Sequence, residues 1–369
     1  MALDVGVRVT LDLDSLRDVV DQRLAEFLRD KSSAMESPET AELVALLGSF
    51  QQRGGKRIRP LLCLCGWHAV SGVQGINVST DLASDLAMDV AASLELFHMF
   101  ALVHDDIMDR SDVRRGQPSI HRTLASQWRG DQFGQGDPDW FGLSGAILLG
   151  DLALVLSQEM FTASGMTMEQ YRAVCPILDS MRVEVLLGQY HDLLAGQSLS
   201  PDIEATLRVI RYKTAKYTVE RPLHLGAVIA GGDRAVLDAC TSFAIPIGEA
   251  FQLRDDVLGV FGDPTATGKS TLDDIRDGKR TTLIAVALQR GSRSELALLR
   301  SQLGNPELDA AGADAVRGVL VSTGALRIVE DMIDERLVMA TCALAEAPFP
   351  RYVRNTLADI AQMMATRIC

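Results

Sequence analysis

"HMFALVHDDIMDRSDVRRGQP", His98 to Pro118, sets an apolar stretch directly against three carboxylates and then two arginines. At about 100° per residue, Asp105 and Asp109 fall on one face of a helix while Asp106 sits to the side. Two carboxylates one turn apart repel unless something positive lies between them. Hard divalent cations take oxygen ligands, and magnesium in particular joins one or two carboxylates to a substrate phosphate. A bare acidic pair is more often a solvated helix end. Here Leu96, Phe97, Phe100 and Val103 precede it, so the acids emerge from an apolar wall.

Working outward, the same helical spacing recurs along the chain. Leu16, Val19, Val20, Leu24 and Leu28 repeat at i, i+3, i+4, as do Leu82, Leu86, Val90 and Leu94, with Ile284, Val286 and Leu288 in looser form. Aromatics make up only 5% of the sequence and alternating β-branched runs are rare, which argues against a sheet. The expectation is one all-α domain, residues 1–369, of roughly ten or more helices. Turn residues cluster at Lys31 to Thr40, Ser71 to Thr80, Gly130 to Gly142, Gly262 to Lys279 and Gly304 to Gly312. The aperiodic stretch Arg129 to Gly142 reads as a surface loop.

A net charge of −13 argues against a nucleic-acid groove, because phosphate-backbone binding draws on clustered Lys and Arg. An anionic substrate then needs a local basic site, with or without metal. The six cysteines lack zinc spacing and read as reduced thiols, Cys63 and Cys65 as small core residues. The first twenty residues show no secretory pattern, and no stretch reaches the roughly 20 uninterrupted apolar residues of a membrane span. "AILLGDLALVL" carries Asp151 in its middle. The expected location is the cytoplasm.

A second acidic pair, Asp255 and Asp256, again follows an apolar helical run, in "FQLRDDVLGVFGDPTATGKS". Two such clusters suggest facing walls that hold metal between them. Permanent cations lie nearby in the sequence: Lys56, Arg57 and Arg59 after the glycine pair of "GGKRIRP", Arg114 and Arg115 after the first cluster, and Lys213 and Lys216 in "YKTAKYT". Each alone is more often a solvated basic turn. Together they suit two diphosphates, one held through metal and one directly by basic side chains. A P-loop reading of "GDPTATGKS" fails, since the first glycine is misplaced and no strand precedes it.

The conjunction resembles the trans-isoprenyl diphosphate synthases: Gly-Lys-x-x-Arg-Pro at Gly55–Pro60, HDDxxD with RRG at His104–Gly116, GQxxDL at Gly188–Leu193, KT at Lys213–Thr214 and FQxxDD at Phe251–Asp256 stand in that family's order. The likeness covers roughly residues 50 to 285. It implies helices around a deep central cavity, a homodimer, and head-to-tail joining of an allylic diphosphate (dimethylallyl, geranyl or farnesyl) to isopentenyl diphosphate. It further implies that Asp105 and Asp109 bind two Mg²⁺ and Asp255 a third. Lys56, Arg59, His98 and Arg115 are then expected to hold isopentenyl diphosphate, and Arg114, Lys213 and Lys269 the allylic diphosphate. Thr214 and Gln252 would offer oxygen dipoles to the allylic cation. Gln189 and Asp192 read as packing or supporting residues, and His104 as a cap or orienter of the acids.

One position departs from the family pattern: the fifth residue of the second motif is Gly259, not an acid. Product length follows from the residues below Asp105, since a bulky side chain there stops a chain that gains only roughly 0.8 kcal/mol per buried methylene. Phe100 at the fifth position before Asp105, with small Ala101 at the fourth and no insertion between the acids, resembles synthases of geranylgeranyl diphosphate (C20). Phe97 and Met99 could raise the floor towards farnesyl diphosphate (C15). A class I terpene cyclase shares the first motif, but would not need GGKRIRP and would not carry FQLRDD. A non-catalytic partner subunit predicts gaps among the charged residues, and the first motif has none.

Overall fold

Side chains that accept from backbone N–H groups of the first turn mark the helix starts. Asp12 opens α1 (Leu13–Ser33), Ser37 with Pro38 opens α2 (Pro38–Gln52), and α3 follows at Ile58–Ser71. Ser84 opens α4 (Asp85–Met108). The computed structural model describes residues 10–72, 83–129, 136–263 and 271–366. The chain divides into two compact units, residues 12–64 with 79–169, and residues 1–11 and 65–78 with 170–369.

The first unit is organised on α4. It is buried almost all round, from Ala87 through Phe100, Val103 and Asp106, as expected of a helix apolar on every side. It packs on α1 and on α6 (Pro138–Thr162), which also meets α5 (Ile120–Arg129). Beyond α4 the chain makes a two-stranded hairpin, β1 (Val113–Arg114) with β2 (Gln117–Pro118). Its turn residues, Arg115 (φ 54°) and Gly116 (φ 71°), are both left-handed, the geometry of a tight hairpin turn. The sequence reading saw no hairpin here, because Arg-Gly is not among the common turn pairs.

The second unit holds α7 (Met168–Ala195, beginning two residues before the unit), α8 (Ile203–Ile210), a π-helix (Arg211–Glu220), α9 (Arg221–Ile229) and α10 (Arg234–Phe261). Then come α11 (Asp273–Arg276), α12 (Thr282–Arg290), α13 (Arg293–Gln302), α14 (Ala310–Ser322), α15 (Ala325–Glu346) and α16 (Arg351–Thr366). α10 is the core helix, packed on the π-helix, α15 and α16. Glycines let the π-helix come close. A Cβ on Gly188 would lie 2.8 Å from the Lys213 backbone nitrogen, and one on Gly248 2.7 Å from the Ala215 Cβ. Buried Glu249 on α10 joins Arg211 and Arg336.

The fold is all-α, as expected. Two readings need correction. The expected surface loop ends early, because Asp137 caps α6 and Pro138 begins it, so Pro138 to Gly142 are helical. Positions 130–135 of that stretch lie outside the described residues, as do Leu82, most of Ser71 to Thr80 and Lys269. The second correction concerns apolar length. Asp85–Met108 and Pro138–Thr162 are long and apolar enough to cross a membrane by length and composition, since a mean hydropathy tolerates the few charges that interrupt them. Of the most apolar windows, 72% is buried inside the protein for α4 and 39% for α6.

Candidate active site

In the first unit the acids sit at the last turn of α4, with Asp109 as its C-cap. Asp106 is 1% exposed, which excludes a solvated helix end. One of its oxygens, Oδ1, accepts from Arg114 Nε at 2.7 Å and from an Arg114 guanidinium NH₂; the same NH₂ lies 3.7 Å from Asp105. Burial raises the Asp106 pKa and Arg114 opposes the rise. The hairpin therefore aims Arg114 back at the acids. The His104 ring donates from Nδ1 to the Phe100 carbonyl at 3.1 Å, and its Nε2 stands 3.6 Å from Asp151 on α6.

Below the acids, Phe97 and Phe100 are buried with ring centroids 5.3 Å apart, and Phe100 meets His104 edge-on at 4.8 Å. Ala101 is half-buried beside them. Two residues before Phe100, His98 lies within the field of the basic residues. Burial first, then the charges of Arg59, Arg115, Arg114 and Arg57, hold its imidazole well below the ordinary pKa, so the ring is neutral. Lys56 is exposed, Arg59 half-buried and Arg115 exposed. These groups form a concentrated positive field suited to an anion of more than one charge.

In the second unit, Thr214 on the π-helix donates to Gln252 Oε1 at 2.8 Å, and Gln252 donates to Asp256 Oδ1 at 2.9 Å. The Thr214 oxygen keeps its own lone pairs. Burial pushes the Asp256 carboxyl up to about 8, with Asp255 and Asp274 adding to the rise and the Gln252 bond opposing it. Lys213 Nζ donates to Asp192 at 2.6 Å. About two helical turns before Asp192 on α7, Glu184 binds Lys216 (2.5 Å) and Arg221 (2.8 Å). Sequence reasoning missed Glu184, whose signal was its i, i+4, i+8 spacing with Gly188 and Asp192.

The donors suit magnesium. Among the described residues no three His, Cys, Asp or Glu side chains could hold a metal unaided. The second oxygen of Asp106, Oδ2, is buried with no hydrogen-bond partner among the described residues, so this end of α4 holds more carboxylate oxygen than Arg114 satisfies. Magnesium commonly takes few protein carboxylates and completes its shell with water and substrate phosphate.

Comparison with known proteins agrees with this chemistry. The polyprenyl synthetase family pattern matches residues 40–317. The chain is 32% identical to geranylfarnesyl diphosphate synthase of Aeropyrum pernix over 75% of its own length and 79% of that protein. It is 30% identical to geranylgeranyl diphosphate synthase of Mycobacterium tuberculosis, covering 77% and 74% of the two chains. Among solved structures, geranylgeranyl pyrophosphate synthase of Corynebacterium glutamicum, complexed with isoprenyl diphosphate and magnesium, shares 40% identity. It superposes with a TM-score of 0.91 across 97% of this chain and all of that one. The chain belongs to the polyprenyl synthetase family, the trans-isoprenyl diphosphate synthases, and is a prenyltransferase.

Proposed function

We propose that the enzyme joins dimethylallyl, geranyl or farnesyl diphosphate to isopentenyl diphosphate and delivers geranylgeranyl diphosphate (C20). The observation that carries the length is buried Phe100, packed on Phe97 beside small Ala101. Farnesyl diphosphate (C15) is the second reading, because the Phe97 ring, 5.3 Å from that of Phe100, adds bulk to the same floor and can raise it. The related proteins carry the names of both geranylgeranyl and geranylfarnesyl synthases.

Asp105 and Asp109 would hold two magnesium ions and Asp255 a third, as the magnesium in the Corynebacterium glutamicum synthase supports. Bound magnesium stabilises negative charge on a departing diphosphate. Arg114, Lys213 and Lys269 bind that same diphosphate; Lys269 lies outside the described residues. Lys56, Arg59, His98 and Arg115 bind isopentenyl diphosphate, the neutral imidazole as an N–H donor. Thr214 and Gln252 turn oxygens toward the allylic cation, and apolar side chains exclude water. The pyrophosphate takes the proton from the condensed product, so no protein base is required.

The whole chain, 1–369, then acts as one catalytic domain. It pairs with a second copy through apolar side chains that each unit leaves exposed, Trp140, Leu148 and Val155 on α6 and Leu186, Leu187 and Tyr190 on α7. It works in the cytoplasm; no disulfide joins Cys63, Cys65, Cys175, Cys240 or Cys342. The test is incubation with labelled isopentenyl diphosphate, each primer in turn and Mg²⁺, followed by chain-length analysis. C20 from wild type is expected, and longer products from Phe100→Ala, which opens the floor. A wild-type product ending at C15, or an unchanged distribution in the variant, overturns the length assignment.

A further inference from the structure

Arg57 stands between two residues assigned to isopentenyl diphosphate, Lys56 and Arg59, yet the protein itself encloses it. It is 3% exposed. Its Nε donates to Asp21 on α1 at 2.6 Å, one terminal nitrogen donates to Glu95 on α4 at 3.0 Å and to the Gly54 carbonyl at 3.2 Å, and the other donates to the Gln51 carbonyl at 2.7 Å. Gln51 donates to the same Asp21 oxygen at 2.8 Å. The Arg57 backbone is left-handed (φ 49°), a conformation that a residue with a Cβ keeps only when its surroundings impose it.

The Gly54 carbonyl also accepts from Arg115 of the hairpin, so two guanidinium groups converge on one turn. Gly55 makes room for both. A Cβ there would lie 2.6 Å from an Arg57 terminal nitrogen and 2.9 Å from an Arg115 one. Glu95, 4% exposed, is three residues before His98 on α4. Its charge reaches Arg115 as well, where burial first and then Arg57, Arg114 and Arg59 lower the guanidinium pKa and Glu95 opposes them.

We propose that Arg57 and Glu95 are positioning residues of the isopentenyl diphosphate site, Arg57 as the clamp on the Gly54–Gly55 turn and Glu95 as the counter-ion shared by Arg57 and Arg115. The proposal rests on the assignment of Lys56, Arg59, His98 and Arg115 to that substrate. Neither residue touches the ligand. The clamp fixes the spacing of Lys56 and Arg59 on either side of Arg57, and the buried carboxylate lets several arginines stand around a neutral imidazole without driving one another apart. The residues they position, Lys56, Arg59, His98 and Arg115, are those assigned to isopentenyl diphosphate and none of those assigned to the primer, so the effect is selective: one diphosphate loses its seat and the other keeps its own.

The test measures KM for each substrate, kcat and thermal melting for Glu95→Gln and Arg57→Lys. Calorimetric titration of isopentenyl diphosphate into the primer-free enzyme gives a readout independent of turnover. A rise of about tenfold in KM and Kd for isopentenyl diphosphate is expected, with primer KM and kcat within about threefold of wild type. Arg57→Lys, which keeps the charge and loses the fork, should fall between wild type and Glu95→Gln. Should Glu95→Gln not fold, Arg57→Met combined with Glu95→Gln removes both charges together and is read in the same way. Wild type that makes no prenyl diphosphate from any primer defeats the substrate assignment itself. An active wild type whose variants raise both KM values equally, lower kcat alone or leave isopentenyl diphosphate binding unchanged overturns the positioning role.

Discussion

At the end of α4 the buried acid, Asp106, is gripped by two nitrogens of one arginine; at the end of α10 the buried acid, Asp256, accepts from an uncharged amide. Both carboxylates are raised by burial. Only the first has a permanent cation from its own hairpin against it, and the second rises to about 8. The fifth positions differ too: Asp109 caps α4, whereas Gly259 in α10 brings no acid. The buried acid of one end has a guanidinium against it within the fold, while the buried acid of the other has only the dipole of an amide hydrogen-bonded to it.

The widest separation between the ends should appear in turnover. With two of the proposed ions on the α4 acids and one on α10, Asp105→Asn is expected to lower kcat by about 10³-fold and Asp255→Asn by about 10²-fold. Steady-state assays at saturating Mg²⁺ decide it. Equal losses would mean that the ends share the charge evenly and that their different construction has no catalytic consequence.

Stability separates them next. Asp106→Asn leaves the largely buried Arg114 guanidinium without its principal partner, and a loss of about 3 kcal/mol is expected. Asp256→Asn keeps an oxygen for Gln252 and removes an ionisation that burial opposes, so at neutral pH it should cost less than about 1 kcal/mol. The sign with pH follows from linkage. The folded Asp256 pKa lies above its unfolded value of 3.8, so the contribution of this carboxyl is full below 3.8, declines as pH rises and is gone above about 8. Urea unfolding should therefore show Asp256→Asn gaining on wild type across that window and levelling off above it. A gap that does not change with pH would show that Asp256 is not the titrating group.

Much of this contrast was legible in the sequence, and the part that was not has identifiable causes. Helical periodicity and capping residues dictate α1 and α4, and the apolar run into Asp105 marks α4 as the core helix. The reading of Arg129 to Gly142 as loop followed its Gly and Asp content and gave too little weight to Asp137-Pro138, a strong helix-start pair. Arg57 read as one more ligand cation because a clamp and a binding residue share one chemistry. Only its burial against Asp21 and Glu95 separates them. Glu95 lay unmarked within an apolar helix, and the π-helix carrying Lys213 and Thr214 depends on the approach of Gly188 and Gly248, which no local pattern announces.

Gly259 itself supplies the smallest and sharpest test. It reads as a missing acid, but a Cβ at this position would overlap the Asp274 carboxylate, whose other oxygen accepts from Lys279 at 2.6 Å. The space that a side chain at 259 would need is thus taken by an acid from α11. Alanine inside a helix normally gains about 1 kcal/mol over glycine, whereas crowding a packed position costs roughly 1–3 kcal/mol. Gly259→Ala should then be destabilising by about 1 kcal/mol, and the loss should turn into a gain once Asp274→Ala clears the space, a coupling that a double-mutant cycle by urea denaturation reads directly. If Gly259→Ala is stabilising on its own, Asp274 yields its place without cost, and the α10 end is merely short of an acid instead of being built around the absence of one.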